Sequence, residues 1–295
     1  MLTRQSAASI IRAGFRCRRR RMQTDDWKTL DEHFDADDIA ALAAQGPIAR
    51  LSLHSMGRLS ATRAQELRKL PSLQQLHLNC DVSRAAMREV LAIAGLRELD
   101  VLCILPRGRP GGFAQAKDLR VFRELTGLAE ADLLDVARFP GLIELGVQSS
   151  RLTPRAFDAL MGMSTLQTLD IEATPFDDAM AAQLARLPAL TGLHAGRTAI
   201  SRAGLEAICE LKQMRELDLW ATSLSVDDLY LLRGLPALEY LSIGGAQGYA
   251  PMPVESLLPL LDQLPNLRRL WLDGVAVPDS VKARLASRYP DFRAT

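Results

Sequence analysis

The sequence predicts an α/β solenoid, a horseshoe of about ten coils of 23 to 29 residues with a parallel sheet on the concave side and helices on the convex side. Three observations carry this reading. The pattern Leu-x-x-Leu-x-Leu, or a close variant, begins at Ile48, Leu73, Leu96, Leu119, Leu142, Leu166, Leu190, Met214, Leu238 and Leu267. The residues between its apolar positions alternate as in a strand. Each well-formed copy then continues into a helix-start signal and an apolar stripe of helical spacing.

The strand follows from period two. In Leu166-Gln167-Thr168-Leu169-Asp170-Ile171 the first, fourth and sixth residues face inward and Thr168 and Asp170 face outward. One such strand cannot bury its apolar face alone. Parallel neighbours about 4.8 Å apart merge these faces into one core and leave a long sheet facing solvent.

The return helix follows from the next residues. Copies continue as Ser150-Arg151-Leu152-Thr153-Pro154, Thr174-Pro175-Phe176-Asp177-Asp178, Thr198-Ala199-Ile200-Ser201-Arg202 and Thr222-Ser223-Leu224-Ser225-Val226. Leu152, Phe176, Ile200 and Leu224 are core-type residues, and the Thr, Asp or Ser after each is an N-cap type. Pro154 then occupies the first helical position, where its missing N–H costs nothing. About ten helical residues should follow, with Leu205, Ile208 and Leu211 forming one such stripe.

Residues 48–278 are therefore assigned to repeats. Residues 25–47, with Trp27, Leu30, Phe34, Ile39 and Leu42 before Gly46-Pro47, read as a cap of one or two short helices. Residues 279–295 read as a cap helix started by Asp279 and bearing Val281, Leu285 and Tyr289. This leaves no room for a separate catalytic domain. No apolar stretch reaches the roughly 20 residues of a membrane span, so no membrane crossing is expected.

Residues 1–24 differ in kind. The first 21 hold seven arginines and no acid, so the formal charge of +1 hides a remainder carrying −6. The segment reads as a disordered tail, as sequence ahead of a translation start at Met22, or as a basic targeting segment. Arg12 and the arginine run break any secretory apolar region. The expected location is cytoplasmic, with secretion as the alternative.

Four cysteines form no disulfide framework. Cys80 and Cys103 hold equivalent places in successive coils, where a buried residue meets the turn. With His54 and His77 they also offer a zinc-type donor set, so structural and metal readings both stand; Cys17 and Cys209 add neither. HExxH, CxxC, G-x-S-x-G and Walker-type loops are all absent. The Gly-rich run Arg107–Gly112 lacks the Gly-Lys-Ser/Thr ending of a phosphate loop and reads as a loop replacing the third helix. A non-enzymatic chain without cofactor is the expectation.

Function should then lie on the concave face, whose outward residues packing does not fix. They include Glu98, Asp100, Glu144, Asp170, Glu172, Glu216, Asp218 and Asp273, eight acids against three bases, Arg50, Arg123 and Arg269. The small residues of Gly192-Leu193-His194-Ala195-Gly196 predict a notch beside His194. Trp220, Tyr240 and Trp271 lie on the three strands that follow. Acids beside exposed aromatic residues suit a basic or Arg-containing protein segment, although such acids also occur as a plain solvated face. An insertion at 244–253 carries Tyr249 and Met252, read as exposed, and either overhangs this end or is merely tolerated. Nucleic acid is disfavoured, because the arginines sit in the tail and the sheet is acidic.

Residues 48–290 resemble a leucine-rich-repeat domain. Copies such as Ser201–Leu211 are similar to the helical repeats of ribonuclease-inhibitor-like proteins and of some bacterial effectors. The fourth copy departs from the pattern, with Phe122 and Glu124 at two leucine places. The resemblance implies a monomeric protein-binding module acting as scaffold, adaptor, inhibitor or immunity factor. The alternative is a bacterial effector or ubiquitin-ligase substrate-recognition subunit that recruits catalysis from another protein; neither a ligase domain nor an F-box is recognisable.

Overall fold

The structure, a computed structural model, describes residues 27–31, 33–105, 112, 113, 116–124, 127–245 and 252–294. The arginine-rich tail, most of the Gly-rich run at 107–112 and Tyr249 lie outside them. Among the described residues twelve parallel strands form one sheet in chain order. They are β1 (Lys28–Leu30), β2 (Arg50–Leu59), β3 (Gln75–Val82), β4 (Glu98–Ile104), β5 (Val121–Glu124), β6 (Glu144–Val147), β7 (Thr168–Asp170), β8 (Gly192–His194), β9 (Glu216–Asp218), β10 (Tyr240–Ser242), β11 (Arg269–Trp271) and β12 (Asp291–Arg293). The recurring motif lies on β2 to β11.

The motif's apolar positions make the core. Leu166, Leu169 and Ile171 are fully buried, as are Leu142 with Leu145 and Leu190 with Leu193. Leu152, Phe176, Ile200 and Leu224 are buried beneath the return turns. Burying each such side chain contributes about 1.5–3 kcal/mol. Because every coil repeats the set, the core runs the length of the sheet.

Return helices start where the caps predict. Thr153 Oγ1 accepts from the Ala156 N–H at 3.2 Å, Asp177 Oδ1 from Met180 at 2.9 Å, and Ser201 Oγ from Ala203 at 3.3 Å. The convex helices are α1 (Ala36–Ala44), α2 (Ala61–Leu67), α3 (Arg84–Leu91), α4 (Glu130–Val136), α5 (Pro154–Leu160), α6 (Asp178–Ala181), α7 (Arg202–Cys209), α8 (Val226–Leu229), α9 (Val254–Leu261) and α10 (Asp279–Arg288). Two are shorter than expected. α6 and α8 are followed by 3₁₀ turns at Leu184–Arg186 and Tyr230–Gly234. Leu187 and Leu235, with ψ of 87° and 81°, are held out of the helical region by Pro188 and Pro236.

Between strand and helix the chain makes one recurring turn. Ser149, Ala173, Arg197 and Ala221 all adopt φ of 53–56°, a left-handed conformation unfavourable to side chains. Each N–H donates to the carbonyl of the next coil, Ala173 to Gly196 and Arg197 to Trp220, at 2.8–2.9 Å. The next residue closes the turn. Thr174, Thr198 and Thr222 are buried, and their hydroxyls donate to the carbonyls of Ile171, Ala195 and Leu219 at 2.6–2.8 Å. In the following coil Gly244 takes a φ of 130°, and a Cβ there would lie 2.3 Å from the Asp273 carbonyl oxygen.

Both caps differ from expectation in the same way: each adds a strand. β1 precedes α1, so the N-terminal cap is a strand and one helix, with Asp35 as N-cap. At the other end Pro278, and not Asp279, is the N-cap, and Asp279 is a first-turn acid. After α10, β12 pairs with β11. The sheet edges therefore consist of short strands, which leave few open backbone groups.

The third and fourth coils carry the main irregularity. Between β4 and β5 the described residues include one 3₁₀ position, Phe113, and no α-helix. Phe113 fills that convex space, with its ring 5.4 Å from Phe122 and 5.6 Å from Phe139. The N–H groups of Gly112 and Phe113 donate to Asp135 Oδ2 at 2.9 and 3.1 Å. Phe122 serves as a core residue. Glu124 is buried because its carboxylate accepts from the N–H groups of Ile104 and Gly127 at 3.4 and 2.8 Å. Across this coil Arg84 of α3 grips Asp132 of α4 through two contacts, Nη2 to Oδ2 at 2.6 Å and Nη1 to Oδ1, and both residues are buried.

Removing one member of that pair strands a buried charge. Asp132→Ala is expected to lower unfolding free energy by about 3–5 kcal/mol in urea titration. The joint change Arg84→Met with Asp132→Leu should recover most of it. A double variant as unstable as the single one would assign the loss to packing.

Candidate binding site on the concave sheet

Register builds the site. Gly146, Asp170, His194, Asp218, Ser242, Trp271 and Arg293 are aligned on successive strands, forming one row across the sheet. Glu144, Thr168, Gly192, Glu216, Tyr240 and Arg269 form the row beside it. Glu172, Trp220 and Asp273 follow just beyond the strand ends. Eleven of the twelve sequence-selected residues thus fall on one contiguous stretch from β6 to β11; the twelfth, Tyr249, lies outside the described residues.

His194 is the centre of this stretch, flanked in register by two aspartates. Its Nδ1 lies 3.6 Å from Asp170 Oδ2 and its Nε2 4.0 Å from Glu216 Oε2. Burial pushes the Asp170 carboxyl up, but His194, Gln148 Nε2 at 2.7 Å and the Glu172 N–H at 3.1 Å outweigh it, so Asp170 is held below its ordinary value. Asp218 goes the other way. Burial raises it, and His194, the Trp220 N–H at 2.9 Å and the Ser242 hydroxyl compensate only in part. Glu172 is pushed up to about 8 by burial and then by the charges of Asp170 and Asp218, against which Arg197 is the countercharge. The cluster therefore favours the protonated form of Glu172.

The aromatic residues are not exposed as the sequence predicts. Tyr240 is 1% and Trp271 6% exposed, while Trp220 is half-buried. They cover one another. The Tyr240 ring meets Trp271 edge-on at 5.1 Å and His194 at 6.2 Å, so the notch predicted beside His194 is closed and His194 is 2% exposed. The Arg269 guanidinium lies 4.9 Å above Tyr240 and also reaches Glu216 at 2.5 Å. Arg293 lies 4.0 Å above Trp271. The Trp220 Nε1–H donates to the Asp273 carbonyl at 3.1 Å. Met252 likewise packs against the core and is not exposed.

The rest of the trough is more balanced than the count of acids implies. Arg123 donates to Glu98 Oε1 at 3.0 Å, Asp100 Oδ1 at 2.8 Å and Glu144 Oε1 at 2.8 Å. Burial opposes its charge, and the carboxylates of Asp100 and Glu144 more than restore it. Towards the other end, Asp170, Glu172 and Asp218 lie close enough for their charges to act on one another. The Cys80, Cys103, His54 and His77 set does not assemble. Cys80 is buried in the core with its thiol pushed up to about 11 by burial, and His54 contacts Ser52 at 2.9 Å and Asn79 at 3.1 Å.

Four contributors escaped sequence reading. Gln148 stands at the seventh motif position, where counting could have found it. Arg197 sits one place later in the turn. Trp27 and Arg293 come from the cap strands or beside them, which no leucine pattern marks.

No protein-family model and no curated protein matches the sequence. Solved structures do share the architecture. Mouse RP105, in its complex with MD-1, has a TM-score of 0.51 at 16% identity, over 89% of this chain and 48% of its own. An internalin from Listeria monocytogenes has 0.49 at 18%, over 84% and 72%. TLR13, in its complex with ssRNA13, has 0.48 at 20%, over 83% and 35%. The chain thus spans about half the length of RP105 and a third of TLR13. Its fold is a leucine-rich-repeat solenoid.

The raised Glu172 carboxyl makes stability depend on pH. The folded state binds the Glu172 proton more tightly than the unfolded one, whose value is near 4.5, so its contribution is full below that value and is lost as pH rises towards about 8. Glu172→Gln should raise the thermal midpoint by a few degrees at pH 8.5 and by much less at pH 5. Equal shifts at both pH values would show that Glu172 is not protonated in the folded chain.

Proposed function

We propose that this chain is a non-enzymatic protein-binding module whose concave trough receives a partner segment bearing an arginine side chain. The observation that carries the reading is the crowding of Asp170, Glu172 and Asp218 on the coils either side of β8, which pushes the Glu172 carboxyl up to about 8. An arriving cation would relieve that repulsion and release the proton. Trp220, half-buried at the edge of the cluster, supplies a ring for the aliphatic part and the planar face of a guanidinium. Tyr240, Arg269 and Trp271 support this wall by packing, and Asp273 anchors the indole. They shape the site without being its contact surface. In mouse RP105, a likeness in fold, the solved complex is with another protein, MD-1. No helix among the described residues is long and apolar enough to cross a membrane.

A panel of fluorescent peptides differing only at one central position, Arg, Lys or norleucine, tests this reading. Arginine should bind tightest, with affinity falling as salt is added. Trp220→Ala and Asp218→Asn should each weaken it by about tenfold, the equivalent of about 1.4 kcal/mol. Calorimetric enthalpy at pH 7 should vary with buffer ionisation as the Glu172 proton leaves. Equal affinity for arginine and norleucine, or unchanged affinity in Trp220→Ala, would overturn the assignment.

A further inference from the structure

The opposite end of the trough holds a different donor set. His77 on β3 faces Asp100 on β4 in register, and Glu98 is two residues before Asp100 on the same face. One ligand atom from each of the three lies within 4.8 Å of the other two. His77 Nε2 is 2.8 Å from Asp100 Oδ2. The Trp27 ring, 4.1 Å from the imidazole and tilted by 38°, limits its movement.

We propose that His77, Glu98 and Asp100 form a binding site for a divalent transition-metal ion of the zinc class. One imidazole nitrogen and two carboxylate oxygens suit such an ion better than calcium or magnesium, which prefer oxygen alone. Zinc bonds to these donors of about 2.0–2.2 Å place ligand atoms roughly 3.3 Å apart in a tetrahedron. The present separations, 2.8 Å for His77 Nε2 to Asp100 Oδ2 and at most 4.8 Å for the others, bracket that spacing.

Arg123 is the obvious objection, because it is a cation in contact with two of the three ligands. Its contacts, however, use Glu98 Oε1 and Asp100 Oδ1. Asp100 Oδ2 is turned to His77, and Glu98 Oε2 accepts from a neutral amide, Gln75 Nε2 at 3.0 Å. Glu144 is a third carboxylate on the same guanidinium, at 2.8 Å. Three carboxylates around one guanidinium leave an excess of two negative charges when His77 is neutral, which matches a divalent ion. Arg123 then acts as an outer partner that orients the carboxylates. Three protein ligands on one sheet face leave the remaining coordination position open to water or to a donor from a partner.

Untagged full-length protein would be titrated with zinc by calorimetry and with cobalt by visible absorbance. Saturable uptake of one ion per chain is expected. His77→Ala and Asp100→Asn should each weaken it by about tenfold or more, while His54→Ala and His194→Ala leave it unchanged. His77→Gln, which keeps a donor to Asp100, replaces the alanine variant if that fails to fold by circular dichroism. Absence of saturable uptake, or uptake insensitive to the His77 and Asp100 changes, would overturn the site.

Discussion

Side-by-side pairing of consecutive coils is the constraint on which the molecule depends. Every strand between the two edges has its backbone partners in the previous and next coil, and the inward leucines are buried because neighbours supply the rest of their contacts. Coil length must therefore stay nearly constant at the strand and turn, and variation is pushed to the convex side. The left-handed turn shows how strongly this is enforced. Ser149, Ala173, Arg197 and Ala221 hold positive φ without being glycine, and hydrogen bonds to the next coil offset a strain of about 1–3 kcal/mol each.

The same pairing brings outward side chains of equal rank within reach of one another, so the concave face is a charge lattice. Where a guanidinium enters the lattice, as at Arg123 or Arg269, acids are neutralised in place. Around His194 the acids are more crowded, and Asp170 and Asp218 together push the Glu172 carboxyl up. The two candidate sites on this face differ for that reason: one gathers crowded carboxylates beside an indole, and the other joins an imidazole to carboxylates already held by Arg123.

Much of this was legible in the sequence, because period two and a coil of 24 residues determine which side chains share a row. Asp170, His194 and Asp218 could be aligned by counting alone. What counting does not contain is reach. Tyr240 and Trp271 occupy outward positions yet are buried, because Arg269, Arg293 and the neighbouring rings fold over them. Arg293 lies on a strand with no leucine signature. The Gly-rich third coil was readable as an interruption, but not the ion pair that spans it, since Arg84 and Asp132 are separated by 48 residues.

That ion pair changes how the solenoid should come apart. A repeat protein with contacts only between adjacent coils can fray stepwise from either end, each coil melting against its neighbour. Arg84 and Asp132 couple coils that are not adjacent on the helical side, so the interrupted coil cannot open while its flanks stay closed. The segment from α3 to α4 should behave as one cooperative block, and partial unfolding should stop at its borders instead of passing through it.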